Sequence, residues 1–467
     1  MPEFPPAPPP RTASLPLGTV LDFADATFPS RTLLAGGSPW RLVRLGEGAR
    51  ATIDRWRTGE HLAATQGALA RTLVDAGLAR PRWAPDENRD AIDVVVPVRN
   101  DVDALGRLLA ELDGFAVTVV DDGSADAAAV DRCARDAGAR LVRLERNLGP
   151  AGARNAGARA TTRPWLWFVD VDVVLEDAAA LGARLLSAGA DPRVGAVAPR
   201  VRGVGTRSRA RFERDHGPLD LGPQGGLVAP GTARSYVPSA CLLVRRDAFA
   251  AGFDETLRVG EDVDLVWRLV EAGWLVRYDA DLVAGHLARP TWRAWWRQRV
   301  AYGTSAASLA VRHGDRLAPI VLDESMAPVL LGVLARRLGL VGAGVTILAR
   351  RIDRQLPRDV ERRATLVTRL VARATLGSAG SFARALVRSY GPLLAAAALV
   401  ARLRRPVGLV VAVGTLWRGR DRGGLSARDV PLAMADDLAY GLGVWLGAWR
   451  HRDATALTPT IVATSRP

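Results

Sequence analysis

An α/β sheet, with a small winged-helix-like module before it and a helical region after it, is the fold this sequence predicts. Three observations lead there. From Ile92 to about Leu175, apolar runs of strand length alternate with helical stretches. The acidic motifs of that stretch fall where the apolar runs end. After about Arg289 the composition turns to Trp, Leu and Arg.

The chain has 467 residues, too many for one ordinary domain, and its 48% apolar content permits a large buried core. Residues 1–17 are Pro-rich and expected to be disordered. Residues 18–83 read as a compact module. TVLDFADA and SRTLLAGG have strand character. SPWRLVRL and EGARATIDRW read as helical, with Ser38 as N-cap and Pro39 in the first turn. GALARTLVDAGL carries Leu69, Leu73 and Val74 on one helical face and ends near Gly77. The linker PRWAPDENRD follows.

Residues 91–290 then alternate strand and helix: IDVVVPV, VDALGRLLAELD, AVTVVDD, an Ala-rich helix, ARLVRLE, a Gly-rich helix start and WLWFVDVDVVL. This pattern predicts a mostly parallel sheet, whose ligands bind at the carboxyl ends of the strands. Residues 291–467 contain GPLLAAAALVA and VGLVVAVGTLW, each about half the roughly 20 residues needed to span a bilayer, separated by RLRRP. Two readings are open for this region: a hairpin or amphipathic helices lying in a membrane interface, or a helical bundle buried against the rest of the chain.

The formal charge is +14, and with no Lys all 63 basic residues are Arg. Such an excess suits nucleic acid, an anionic membrane surface or a phosphorylated substrate. Residues 18–83 have no concentrated basic face interleaved with aromatics, so nucleic acid is not expected. Cys133 and Cys241 are too few for a disulfide framework or a zinc site and read as buried thiols in a reducing compartment. MPEFPPAPPPR has no apolar run of a secretory signal. Together these point to the cytoplasm, at the inner face of the membrane.

The chemistry lies at the strand ends. The first strand closes on VVVPVRND, making Pro97 and Arg99 candidate ligand contacts at a strand's carboxyl end. In VVDDGSAD, Asp121 and Asp122 end an apolar strand, where carboxylates accept hydrogen bonds from a uracil N–H and ribose hydroxyls; the alternative is a plain Asp-Gly-Ser turn. RNLGPAGARNAG begins a helix with Arg154 placed to face a diphosphate. Asp170 and Asp172 in FVDVDVVL stand two apart at a strand end, and adjacent carboxylates call for a cation. A hard divalent metal, Mn²⁺ or Mg²⁺, bridging them to the diphosphate answers that need. In GEDVDLVWRL, Asp262 is the candidate general base and Glu261 a candidate acceptor contact, while Asp264 suits the helix dipole. His286, 24 residues after Asp262, is a candidate third metal ligand.

These five motifs, in this order and spacing, resemble the family 2 glycosyltransferases of GT-A fold over about two hundred residues. The resemblance implies metal-dependent transfer from a nucleotide sugar with inversion at the anomeric carbon. It implies Asp121 and Asp122 at the nucleoside, Asp170 and Asp172 at the metal–diphosphate, and Asp262 as base. It also supports His286 as a ligand. Processive synthases of the family carry Gln-x-x-Arg-Trp, whereas WWRQRVAYG has Gln298 without the following Arg-Trp, which argues against a long-chain polymerase. Trp292 and Trp295 are candidate acceptor-stacking residues, or else core or membrane-interface residues. The module at 18–83 resembles PqqD-like peptide-binding domains. Joined to this transferase and tail, it resembles the glycosyltransferases of mycofactocin systems, which implies UDP-glucose as donor and a small peptide-derived redox cofactor as acceptor. Two other readings stand beside it: a cell-envelope transferase, such as a rhamnosyltransferase with a lipid-linked acceptor, and a peptide-binding module with a degenerate transferase domain.

Overall fold

The apolar run Ile92–Val98 becomes a central strand of a nine-stranded mixed sheet. The computed structural model describes residues 8–10, 13–23, 26–37, 40–206, 208–289, 291–323, 326–334, 337–358, 360, 362–420 and 424–462. The chain divides into two compact units, Met1–Thr27 with Leu34–Ala288, and Phe28–Leu33 with Arg289–Pro467.

In the first unit, the N-terminal stretch contributes strands Val20–Asp22, Arg41–Arg44 and Arg80–Arg82 and helices Ala49–Arg57 and Gly67–Asp75. Val20–Asp22 pairs antiparallel with Arg80–Arg82. Ile53, Trp56, Leu73 and Val74 are buried on one side of those helices. Two expectations are corrected here. Arg41–Arg44 is a strand where a helix was expected. Only eight residues separate Gly37 from Gly46, too few to repay helix nucleation. Ser38 and Pro39, the expected cap, lie outside the described residues. Residues 13–17 were expected to be disordered, yet Leu15 is buried and the Ala13 carbonyl accepts a 3.2 Å bond from Arg71 Nε.

The sheet elements are, in chain order, β1 (Ile92–Val98), α1 (Val102–Glu111), β2 (Ala116–Asp121), α2 (Ala127–Asp136), β3 (Arg140–Arg143), α3 (Gly149–Arg159), β4 (Trp165–Val169), β5 (Val173–Val174), α4 (Ala178–Ser187), β6 (Val194–Val204), α5 (Ser208–His216), β7 (Gly226–Leu227), β8 (Cys241–Arg245), α6 (Glu261–Ala272) and β9 (Leu275–Leu287). The order is β5-β9-β6-β8-β4-β1-β2-β3, with β7 pairing on β9. The half β3-β2-β1-β4 is parallel. β8 runs antiparallel to β4 and β6. Val94, Val96, Trp167 and Leu243 are fully covered, which is why these strands read as unbroken apolar runs. Helix α3 lies close against β1 and β2 because residue 157 is Gly: a Cβ there would stand 2.3 Å from Val95 Cγ1.

A buried ion lattice ties the N-terminal helix Gly67–Asp75 to this sheet. Arg71 donates to both oxygens of Asp191, at 2.8 and 3.1 Å, and to Asp75 at 3.2 Å. Arg193 pairs with Asp75 and Arg277 with Asp191. Asp191 has no exposed surface. Burial pushes its pKa up, but the surrounding guanidiniums more than offset that and hold it below the ordinary value.

The second unit is helical. Its main helices are α7 (Trp292–His313), α8 (Leu338–Gln355), α9 (Arg363–Ser389), α10 (Gly391–Ala398), α11 (Arg404–Gly419) and α12 (Val430–His451). Asp436 and Asp437 of α12 are buried and ringed by Arg299, Arg384, Arg388 and Arg418 from three other helices. Among the described residues no helix is long and apolar enough to cross a membrane.

Candidate active site

β1, β2, β4 and the start of α6 bring their acidic ends to one edge of the sheet. Each predicted residue takes a definite place there. Pro97 is half-buried and Arg99 is exposed at the carboxyl end of β1. Next to them Asn100 adopts a left-handed backbone, φ 62°. Its amide donates to Ser124 Oγ at 2.9 Å and its side-chain oxygen accepts from Ala125 N at 2.8 Å. The loops after β1 and β2 are thereby clasped together, a role for Asn100 that sequence reasoning missed.

Asp121 has no exposed surface. One oxygen accepts from the Ser124 amide at 2.8 Å and the other from Arg143 at 2.9 Å. With these bonds Asp121 braces the turn after β2. Asp122 accepts from the backbone amides of Leu148 and Gly149, at 2.6 and 2.9 Å. It therefore joins the end of β2 to the start of α3, where Gly149 holds φ 84°. Arg258, also missed, reaches across this loop to Asn147 at 3.0 Å.

Arg154 is the largest departure from the sequence reading. It does not face outward at a helix N-terminus. It is 3% exposed and bridges two carboxylates, Asp170 Oδ1 at 2.5 Å and Glu261 Oε1 at 2.9 Å. Its Nε is buried with no hydrogen-bond partner among the described residues. Burial acts to lower its pKa, and the charges of Asp170 and Glu261 override this and raise it. Arg154 is thus permanently charged and holds the acidic cluster together.

Glu261 is buried in that bridge. Asp262 follows at the N-terminus of α6, half-buried, with one oxygen accepting from the Val263 amide at 2.8 Å. Its surroundings strip enough solvent that burial, with the Glu261 charge adding, pushes its pKa up to about 7. That value suits a group that takes a proton near neutrality. Asp264 is committed to Arg268 at 2.8 Å, consistent with a structural role.

Asp170 and Asp172 sit in the turn between β4 and β5 rather than on the strand itself, so strand alternation does not set their directions. Other groups shape that turn. The Asp170 amide donates to the Ala240 carbonyl at 2.8 Å. Arg107 donates to the carbonyls of Val171 and Val173, and Glu111 accepts from the Leu175 amide. The Arg107–Glu111 pair, spaced i to i+4 on α1, is the one signal of this support the sequence carries. β5 pairs with β9 so that Val173 faces His286, which sets His286 Nε2 3.4 Å from Asp172 Oδ2.

A carboxylate and an imidazole side by side are a donor pair that fits a divalent cation such as Mn²⁺. Asp170 Oδ1 is taken by Arg154, and no group among the described residues bonds its Oδ2. No cluster of three metal-ligating side chains is assembled among the described residues. Beneath the turn, Cys241 accepts from Trp167 Nε1 at 3.4 Å, and burial pushes its thiol up to about 12, leaving it inert.

The sequence profile of glycosyl transferase family 2 matches residues 93–253. A pre-mycofactocin glycosyltransferase from Mycobacterium tuberculosis is 38% identical over 455 residues, covering 92% of this chain and 94% of that protein. The chain belongs to glycosyl transferase family 2. The profile stops short of Glu261, Asp262 and His286, which fall within the longer match. The succinoglycan biosynthesis protein ExoU of Rhizobium meliloti is 32% identical over 202 residues, 38% of this chain and 57% of that protein. A solved mannosyltransferase from Pyrobaculum calidifontis, in complex with GDP-Man and Mn²⁺, aligns at 20% identity and a TM-score of 0.37, covering 62% of this chain and 82% of that one. As a family 2 member the chain is a glycosyltransferase, and its mixed sheet is a GT-A sheet.

Two expected acceptor residues lie in the helical unit. Trp295 is 2% exposed, with Arg299 stacked over its ring, so it is core and not a groove residue. Trp292 is 51% exposed and packs edge-on to Trp295.

Proposed function

We propose that this enzyme transfers glucose from UDP-glucose, with inversion, onto the peptide-derived redox cofactor precursor of a mycofactocin pathway. One observation carries the reading: the 38% identity to a pre-mycofactocin glycosyltransferase runs through nearly the whole of both chains. Residues 18–83 form the PqqD-like module and residues 91–290 the catalytic domain. Residues 291–467 are the membrane-associated part, which places the enzyme at the cytoplasmic face of the membrane.

Asp122, Pro97 and Arg99 line the nucleoside end, with Asp121 and Asn100 holding the loops that carry them. Asp172 and His286, joined by the second oxygen of Asp170, would hold Mn²⁺ or Mg²⁺. When bound, that ion neutralises the negative charge of the diphosphate. Arg154 fixes Asp170 and Glu261 so that Asp262 meets the acceptor in one orientation. Asp262 takes the proton from the acceptor hydroxyl as its oxygen bonds to the anomeric carbon. The nucleoside diphosphate leaves from the opposite face with the bonding pair, and the carbon inverts.

The test is a donor survey on the purified chain, with UDP-glucose, GDP-mannose and dTDP-rhamnose, with and without Mn²⁺, read as donor hydrolysis. Hydrolysis of UDP-glucose that depends on Mn²⁺ is expected. Turnover of dTDP-rhamnose with none of UDP-glucose would replace this reading with a cell-envelope transferase.

A further inference from the structure

The charge of the chain is divided unevenly. Residues 289–467 hold 28 Arg against 11 Asp and Glu, a formal +17, so residues 1–288 are net acidic. Within the helical unit, α10 and α11 form a consecutive, touching pair joined by a single turn, Ala401–Leu403. The tip of that pair is apolar and basic at once. Leu399 is 80% exposed, and Val400 and Leu403 are exposed beside it. Arg402, Arg404 and Arg405 are exposed among them. Along α11, Leu409, Val413 and Leu416 stand at i, i+4 and i+7, so they share one helical face, and all three are exposed. Residues of the pair and of α12 line a mostly apolar pocket of about 320 Å³, among them Leu394, Ala398, Val407, Val411 and Leu438, with Asp437 the one charged residue.

Large apolar side chains in water, grouped with guanidiniums beside a mostly apolar pocket, fit one kind of surface: acyl chains below anionic headgroups. Neither helix is long enough to cross a bilayer. The geometry points to α10 and α11 as a monotopic anchor that seats the helical unit on an anionic lipid bilayer. Leu399, Val400, Leu403 and Leu409 enter the acyl layer. Arg402, Arg404 and Arg405 meet the phosphates, and the cavity receives part of a lipid chain. The inference rests on the membrane-face part of the reading above and names the surface that makes it.

The experiment is co-sedimentation of the full chain with vesicles of phosphatidylcholine alone, or of phosphatidylcholine with phosphatidylglycerol, at low and high salt. Two exposed-site variants are compared, Arg402→Ser/Arg404→Ser/Arg405→Ser and Leu399→Asp/Leu409→Asp. Both are checked for folding by thermal unfolding and for intact catalysis by donor hydrolysis. The wild type is expected to pellet with the anionic vesicles and to be released by salt. The triple Arg variant is expected to bind roughly 100-fold more weakly, since each basic group near an anionic surface is worth about fivefold. The Leu variant is expected to lose binding at every salt concentration. Wild-type protein that stays in the supernatant, or variants that bind as it does, would overturn the proposal. So would a solution dimer that Leu409→Asp splits while vesicle binding is unchanged, because the face would then be a subunit contact. Donor hydrolysis is read separately, so failure of the transferase reading is distinguishable from failure of the anchor.

Discussion

Arg154→Met removes the cation that the acidic cluster is built around. The guanidinium is 3% exposed and bonds Asp170 at 2.5 Å and Glu261 at 2.9 Å. Without it, Asp170, Glu261 and Asp262 face one another with no buried positive charge. Breaking a buried pair by deleting one partner costs about 3–5 kcal/mol. The lower end applies here, because the Asp170 side chain remains 28% exposed and water screens its share. The loss depends on pH. Glu261 and Asp262 are already raised by burial, and the Arg154 charge opposes that rise in both. Removing it raises them further. An acid whose folded pKa is raised destabilises the fold above that value, and the penalty fades as the acid protonates. The variant should therefore lose about 3 kcal/mol at about pH 8 and much less at about pH 5. Urea unfolding followed by Trp fluorescence at the two pH values measures this. Arg154→Lys, which keeps the charge without the two-pronged bridge, should recover most of the stability but not donor turnover. An equal loss at both pH values, or full donor turnover in the Met variant, would refute the clamp.

Asp262→Asn should lower kcat by on the order of 10²–10⁴ with little change in donor KM, since it removes a base and leaves the donor site intact. In the wild type, kcat/KM should rise with pH and level off above about 7, because the ionised form of Asp262 is the active one. His286→Ala should raise the Mn²⁺ concentration for half-maximal donor hydrolysis by more than about 10-fold, the lower end of what changes in even the outer shell of a metal site cost. Unchanged Mn²⁺ dependence would remove His286 from the ligand set. Asp191→Asn should destabilise the first unit by about 3–5 kcal/mol at neutral pH, since Arg71 and Arg277 lose their buried partner. Asp191 has a folded pKa below its ordinary 3.8, so its stabilisation is present above that value and lost as pH falls beneath it. The gap between wild type and variant, measured by urea unfolding, should close in that acid range.

Much of the sheet was legible because its strands are covered on both faces. Ile92–Val98 and Trp165–Val169 are nearly continuous apolar runs, and a buried strand leaves that mark in any sequence. The acidic start of α6 was legible because an acidic pair opening a helix is a local pattern. The role of Arg154 was not. Its partners lie 16 and 107 residues away, and the order β8-β4-β1 is what brings α3 and α6 together around it. The partners of Asp121 and Asp122 were hidden for a related reason. The amides of Leu148 and Gly149 that occupy Asp122 come from a loop 26 residues downstream, and nothing near VVDDGS announces them. For Trp295 the acceptor, core and interface readings stayed open because aromatic content is visible in sequence whereas burial on a particular helix face is not.

The most direct measurement is the mass of a pre-mycofactocin acceptor after incubation with UDP-glucose, Mn²⁺ and the purified chain, with Asp262→Asn alongside. Hexose additions by the wild type and almost none by the variant are predicted. An acceptor left unchanged by the wild type, or extended equally by both, would contradict the account.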